Sequence, residues 1–414
     1  MICTKPQLSG WDKRIDIISQ FLADIADRDR DRLAVAEVLR SAEGIAGFCA
    51  ANAAAIDEEG CFPVEEFRRI KEAGLLSVAL PCDRGGLGFG IEVGRSWPLL
   101  ELLRQIGYGN LAVGRIYEGH LNAVQLVGLF GSPAQIRTCA TDIREHQRLH
   151  GVWNTESVDG VKLLPLADGR YRLEGAKTFA SGAGYIERPI VGAALPDGGW
   201  QMVIVPMEMV RTRTDTSWWQ PLGMRASASF RVDFSGVELT DAALLGQPGD
   251  YYAQPWLTAG VSRFAAVQLG GAEALLDCAR SHLRERGWGG DPYQRERMAK
   301  AAIACEGGRL WLQGSAAQLD RFLAGEGEAE GESLVAYANM VRTAIEGHCL
   351  EVMRLVEKSL GARCLIRPHP VERLVRDLTI YLRQPAPDAA LAQLGAHVIA
   401  QEAPARNLWN DALH

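Results

Sequence analysis

The periodicity of the apolar residues changes only twice along the chain, and this constrains the fold more than any single motif. From about residue 12 to 148, apolar residues recur near the 3.6-residue helical period, broken by glycine and proline. One such helix reads PVEEFRRIKEAG, with Pro63 near its start and Gly74 at its end, and the LLSVALPCDRGGLGFG after it reads as loop. From about His150 the runs become short and β-rich: HGVWNT, VKLLPL, RYRLEGAKTFAS, RPIVGAAL, WQMVIVP and FRVDFSGVEL. ADG at 167–169 and PDGG at 196–199 suit tight hairpins, because glycine and aspartate tolerate positive φ. After Gly249 the helical period returns in three long segments and one short one, with the acidic stretch 324–333 as a loop between two of them.

Helices, then strands, then helices argue for segregated layers and against an alternating βαβ sheet. The expected class is therefore mainly α with a β domain: an all-α domain over residues 1–148, a middle β-sandwich or barrel over 149–245, and a helical bundle over 250–414. GGLGFG at 85–90 follows a helix and does not open a βαβ unit, so a Rossmann dinucleotide site is not expected.

Composition narrows the partners. A net charge of -7 disfavours nucleic acid and anionic lipid. No long apolar run predicts a signal peptide or membrane span, which places the chain in the cytoplasm. Nine cysteines and eight histidines show no metal-ligand spacing, so no metal is expected.

Five segments then carry a resemblance. FPVEEFRRIKEAGLLSVALPCDRGGLGFG (62–90), GVWNTES (151–157), EGAKTFASGAG (174–184), PLGMRASASFRVDFSGVEL (221–239) and HPVERLVRDLTIY (369–381) together resemble the acyl-CoA dehydrogenase family, in order and spacing from about residue 40 onward. The resemblance implies an N-terminal helical domain, a middle β domain and a C-terminal four-helix bundle. It also implies FAD held between the last two, completed by a neighbouring subunit in a homodimer or homotetramer, with an electron-acceptor protein as a further partner. Carried over by motif, Trp153 and Thr155 would line the isoalloxazine, with Phe179, Ala180 and Ser181 on a second strand beside it. Taken alone, Phe179 reads more readily as core than as cofactor wall; the surrounding motif reverses this. Arg284 or Arg286 would grip the pyrophosphate of the partner's FAD, although the alternating charge of HLRERG also describes a solvated helix end.

The family's chemistry implies removal of an α-proton of an acyl thioester by a carboxylate that follows the RD of the last motif. Here Arg376 and Asp377 are followed by LTIYLRQPAPDAAL, and the glutamate's place falls on Pro385. In some relatives the glutamate instead sits on the first bundle helix beside an arginine corresponding to Arg263, but no acidic residue lies between Asp250 and Glu273. Three groups remain as substitutes: Asp388 as a displaced base or a solvated helix-capping residue, His120 as an active-site or structural histidine, and Glu118. Glu118, two positions from His120, would point to a different face. The leading expectation is an FAD-dependent oxidoreductase acting on the CH–CH group of an acyl thioester. The alternatives are a flavin-dependent monooxygenase or N-oxygenase of the same fold, and a non-catalytic binding module.

Overall fold

The computed structural model describes residues 10–155, 157–325 and 331–409. Five helices come first: α1 Gly10–Glu59, α2 Val64–Glu72, α3 Ser96–Gly109, α4 Leu111–Phe130 and α5 Pro133–Arg144. Their ends follow local chemistry. Gly74, in the left-handed region at φ 70°, stops the chain after α2. Asn110 accepts the Ala112 and Val113 N–H groups at the start of α4. Ser132 and Gln135 form a reciprocal capping box on α5.

Ten strands follow: β1 His150–Trp153, β2 Lys162–Pro165, β3 Arg170–Glu174, β4 Ala176–Ala180, β5 Arg188–Ala194, β6 Trp200–Ile204, β7 Arg213–Asp215, β8 Phe230–Asp233, β9 Val237–Thr240 and β10 Leu244–Leu245. They form a sheet of order β10-β6-β5-β2-β3-β9, with β1 added parallel to β5, and a smaller sheet of order β4-β8-β7. Both expected hairpins are present. β2 and β3 turn through Asp168 and Gly169, both at positive φ, and β5 and β6 turn through Gly198 and Gly199, likewise.

The last third holds α6 Trp256–Ala259, α7 Val261–Glu285, α8 Pro292–Ala324, α9 Gly331–Leu360, α10 Pro370–Tyr381 and α11 Pro387–Ala400. Residues 326–330 of the expected acidic loop lie outside the described residues, and its last three residues already belong to α9. No helix among the described residues is long and apolar enough to cross a membrane.

The first domain is fused to the bundle along a seam of α3 on α7. A Cβ added at Gly270 would stand 2.0 Å from the Arg104 carbonyl oxygen and 2.5 Å from the Tyr108 nitrogen, and one at Gly107 would stand 2.3 Å from the Val267 carbonyl oxygen. The two backbones touch because neither helix has a side chain there. Arg104 to Glu273 at 2.5 Å and Tyr108 to Asp277 at 3.0 Å fasten the same seam. Gly270→Ala is expected to cost at least about 2 kcal/mol, because the methyl group meets backbone and the helices must part. Urea unfolding measures this, and an unchanged midpoint would show that the crossing can widen freely.

The RD of the last helix is a clamp between all three parts. Arg376 reaches back to Asp57 on α1 at 2.6 Å, to Glu372 at 2.7 Å and to the Leu222 carbonyl. Asp377 accepts the Met224 backbone N–H at 2.6 Å and Arg373 at 2.9 Å. The carboxyl end of α10 is therefore fixed against both the β domain and the first helix.

Candidate active site

A stripe of polar side chains runs down the apolar helix α4. Arg115, Glu118, Asn122 and Gln125 are spaced at three and four residues, which puts them on one face, toward α7 and α10. Glu118 is 3 % exposed. Its two oxygens accept from Arg115 Nη1 at 2.6 Å and from Asn122 Nδ2. Gln125 takes Arg263 Nη1 from the first turns of α7 and donates to the Phe89 carbonyl at 3.1 Å. The Arg263 guanidinium is drawn down to about 10 by burial, against the opposing pull of Glu118 and Tyr251. Tyr381, the last residue of α10, is 4 % exposed, and burial, with Glu118 adding, holds its phenol well above the usual range.

Among the described residues, three atoms of this cluster are sealed from solvent without a hydrogen-bond partner: Arg263 Nε, Tyr381 Oη and Asn122 Oδ1. A buried orphan polar atom costs about 1–3 kcal/mol, so each of the three calls for a partner, a water or a ligand, to complete its bonding.

The cluster continues to the strand carrying the family motif. Tyr251, in the field of Arg115, Glu118 and Arg263, packs edge-on against Tyr252 at 5.2 Å. Tyr252 in turn receives Asn154 Nδ2 at 3.3 Å. Asn154 Oδ1 is a fourth orphan, aimed at Gly192, where an added Cβ would meet it at 1.7 Å.

The expected cofactor residues divide by environment. Trp153, 1 % exposed, gives its indole N–H to the Ser181 carbonyl at 3.0 Å and packs on Phe234. Thr155 is exposed, and its carbonyl accepts Lys177 Nζ at 3.3 Å. Ala180 is buried, and Ser181 joins a hydroxyl chain through Ser229 to Ser227. Phe179 behaves differently: at φ 53° in an irregular stretch of β4, its ring stands 48 % exposed, edge-on to Trp218 at 5.0 Å and Trp219 at 5.8 Å. An open aromatic wall with polar groups at its margin fits a flat, polar-edged ring such as a flavin. Far along α7, Arg284 lines a shallow hollow of about 240 Å³ with Arg280 and Arg295, while Arg286 caps the helix outside it.

Of the three substitutes, Glu118 is in this cluster, and the other two have different surroundings. His120 is fully buried on α4, with Nε2 2.9 Å from the Leu76 carbonyl and Nδ1 accepting the His150 backbone N–H at 3.1 Å. Asp388 lies exposed in the first turn of α11, beyond an exposed Pro385–Ala386–Pro387 turn whose Pro385 carbonyl takes Arg342. Sequence reasoning passed over Arg115, Tyr251 and Tyr381 and set Glu118 aside. The one available signal was the row of polar residues at helical spacing within an otherwise apolar helix.

Two family models match this chain: acyl-CoA dehydrogenase, N-terminal domain, over residues 40–144, and acyl-CoA dehydrogenase, C-terminal domain, over residues 262–383. A dibenzothiophene monooxygenase of Mycolicibacterium goodii is 26% identical over 382 residues, covering 84% of this chain and 90% of its own. A probable FMNH2-dependent monooxygenase of Pseudomonas putida is 25% identical over 394 residues, covering 90% and 97%. Among solved structures, a complex of TdsC from Paenibacillus sp. A11-2 with FMN and indole superposes with a TM-score of 0.80 at 22% identity, covering 90% of this chain and 99% of that one.

Proposed function

This chain belongs to the acyl-CoA dehydrogenase family of flavoproteins, and from that premise we propose that it is a flavin-dependent monooxygenase acting on a small organic substrate. One observation carries the reading. The stretch that would hold a proton-abstracting carboxylate is the exposed turn Pro385–Ala386–Pro387, and the buried carboxylate of the α4 cluster, Glu118, has both oxygens engaged by Arg115 and Asn122. Removal of an α-proton needs a base within hydrogen-bond reach, and oxygen transfer does not. The oxygenase alternative therefore displaces acyl-thioester dehydrogenation as the leading reading, and the monooxygenases among its relatives support it.

Phe179, with Trp218 and Trp219 behind it, would form the wall for the flavin ring, and Asn154, Thr155 and Ser181 its polar margin. When bound in its reduced form, the flavin supplies the electrons for activating molecular oxygen. FMN rather than FAD is the proposed cofactor, by analogy with the FMN-dependent relative and the FMN complex. The residues of this chain do the remaining work. The aromatic wall and the packed face of α4 exclude water, and the Arg115–Glu118 pair holds α4's polar stripe in register. His120 and Asp388 stay outside the reaction: His120 already spends one nitrogen as donor and the other as acceptor, and Asp388 is in solvent. Arg284 or Arg286 would contact the phosphate of a second subunit's flavin in a cytoplasmic homodimer or homotetramer.

The test supplies the protein with FMN reduced by a separate reductase, then labelled oxygen, with dibenzothiophene or indole as substrate. The expected result is one labelled oxygen atom in the product and no bleaching of the oxidised, flavin-loaded protein by butyryl-CoA. Rapid anaerobic bleaching by butyryl-CoA with release of the enoyl thioester would overturn the proposal.

A further inference from the structure

The chain beyond α10 is tied down unevenly on the two sides of one turn. Before the turn it is fastened. Leu378, Tyr381 and Leu382 are buried, the Tyr381 carbonyl accepts Gln268 Nε2 at 2.8 Å, Arg383 pairs with Glu346 at 3.2 Å, and the Pro385 carbonyl accepts Arg342 Nη2 at 2.9 Å. The turn is Pro385–Ala386–Pro387, with Ala386 in the left-handed region at φ 52°, where a residue carrying a Cβ is strained. After it, Ala390 is the one buried residue among 387–409, and Leu391 and Ile399 stand in solvent. A surface helix ordinarily buries a whole apolar stripe, and α11 buries one methyl group.

What holds this segment lies at its far end. The chain passes Pro404 and a short 3₁₀ turn, Ala405–Asn407, and returns to α11 at Trp409. The Trp409 ring is stacked 5.8 Å from His397 and edge-on 6.0 Å from Tyr337 of α9, and its carbonyl accepts Gln318 Nε2 of α8 at 3.3 Å. Tyr337 is itself firmly seated: its ring is 6.0 Å from Trp311, and its hydroxyl lies over Gly314, where an added Cβ would stand 2.0 Å from it. Midway along α11, Asn339 Nδ2 donates to Gln393 Oε1 at 3.1 Å. Against these ties stands His397 Nε2, sealed from solvent without a partner among the described residues, which weighs against the closed arrangement.

We infer that residues 387–409 form a strap that opens and closes as a unit about the Pro385–Ala386–Pro387 turn, with Trp409 as its latch. Closed, the strap covers Asn339 on the first half of α9. Its root adjoins the candidate site: Arg342, which holds the Pro385 carbonyl, has its guanidinium 5.6 Å from the centre of the Phe264 ring, next in the chain to Arg263. Release of Trp409 frees α11 and leaves the clamp of Arg376 and Asp377 closed, because that clamp lies before the turn. The strap opens in this way whatever flavin chemistry the site performs.

Hydrogen–deuterium exchange of the full-length protein, read on peptides covering 388–400, 334–356 and 371–381, is the test. In the wild type the α11 amides are expected to exchange about a hundredfold or more faster than those of α9 and α10, since a segment with few buried contacts opens far below the cost of global unfolding. Trp409→Ala should speed exchange in α11 by a further factor of about two to ten, as the loss of an aromatic pair implies. Trp409→Phe should keep most of the protection, and the solvent-facing Ile399→Ala should leave it within about twofold of wild type. Exchange in α9 and α10 should not change in any of the three. Equal exchange of α11 and α9 in the wild type, whether from tighter packing or a covering second copy, would overturn the strap. So would an acceleration in Trp409→Ala spread evenly over α11, α9 and α10, and an unchanged α11 in that variant would remove the latch.

Discussion

Asp377→Ala is expected to destabilise the protein by about 3–5 kcal/mol, the cost of removing one member of a buried, hydrogen-bonded ion pair. The carboxylate is 3 % exposed and accepts two hydrogen bonds, from the Met224 N–H and from Arg373, itself 8 % exposed. Without it a guanidinium and a backbone N–H are left in the interior with nothing to bind. Asp377→Asn retains an acceptor for Met224 and loses the charge opposite Arg373, so it should fall between the wild type and the alanine variant. Because Arg376, next in the chain, ties the same helix to Asp57, the damage should reach Tyr381 one turn on, and flavin or substrate binding should weaken with stability. Urea unfolding followed by circular dichroism supplies the measurement, and a loss under about 1 kcal/mol in the alanine variant would contradict the clamp.

The second large effect is a pH dependence set by His120 and His150. The Leu76 carbonyl only accepts and the His150 N–H only donates, so His120 must carry its proton on Nε2 and leave Nδ1 bare. Burial, chiefly, lowers His120 to about 4 and lowers His150 well below the usual value. In the unfolded chain both take up protons near pH 6.5. Since the folded values lie below the unfolded ones, this stability is fully present above about pH 6.5 and drains away as pH falls toward 4. His120 alone accounts for roughly 3 kcal/mol across that window, at about 1.4 kcal/mol per unit. Midpoints of urea unfolding between pH 7.5 and 4.5 should fall accordingly. In His120→Gln, whose amide can donate to Leu76 and accept from His150, the slope should lessen by up to one proton. An identical slope in that variant would mean that other groups carry the effect.

The elements of the fold were readable because their causes are local. The stop at Gly74, the hairpins at Asp168–Gly169 and Gly198–Gly199 and the long apolar faces of α7 and α9 follow from residues within one or two turns of each other. The motif strands were also placed, since hairpin signals flank them. The environment of each motif residue was not readable. Trp153 and Phe179 sit in equally suggestive motifs, yet one packs into the core and the other faces outward, because an irregularity between Lys177 and Ala180 turns the end of β4 over. Likewise the RD motif was noted only as the prelude to a missing base, and the contacts that give it a structural role come from Asp57 and Met224, far away in sequence.

The sequence by itself determined the three-part order, the family and the lack of a carboxylate at Pro385, because periodicity, motif spacing and residue identity are properties of a string. Only the tertiary structure decided which polar groups meet and which remain unpaired. Arg115, Arg263 and Tyr381 lie more than a hundred residues apart in succession, and nothing in their neighbours announces that α4, α7 and α10 converge. Desolvation and pairing depend on every group that packs around an atom, so buried orphan polar atoms exist only once the chain has folded.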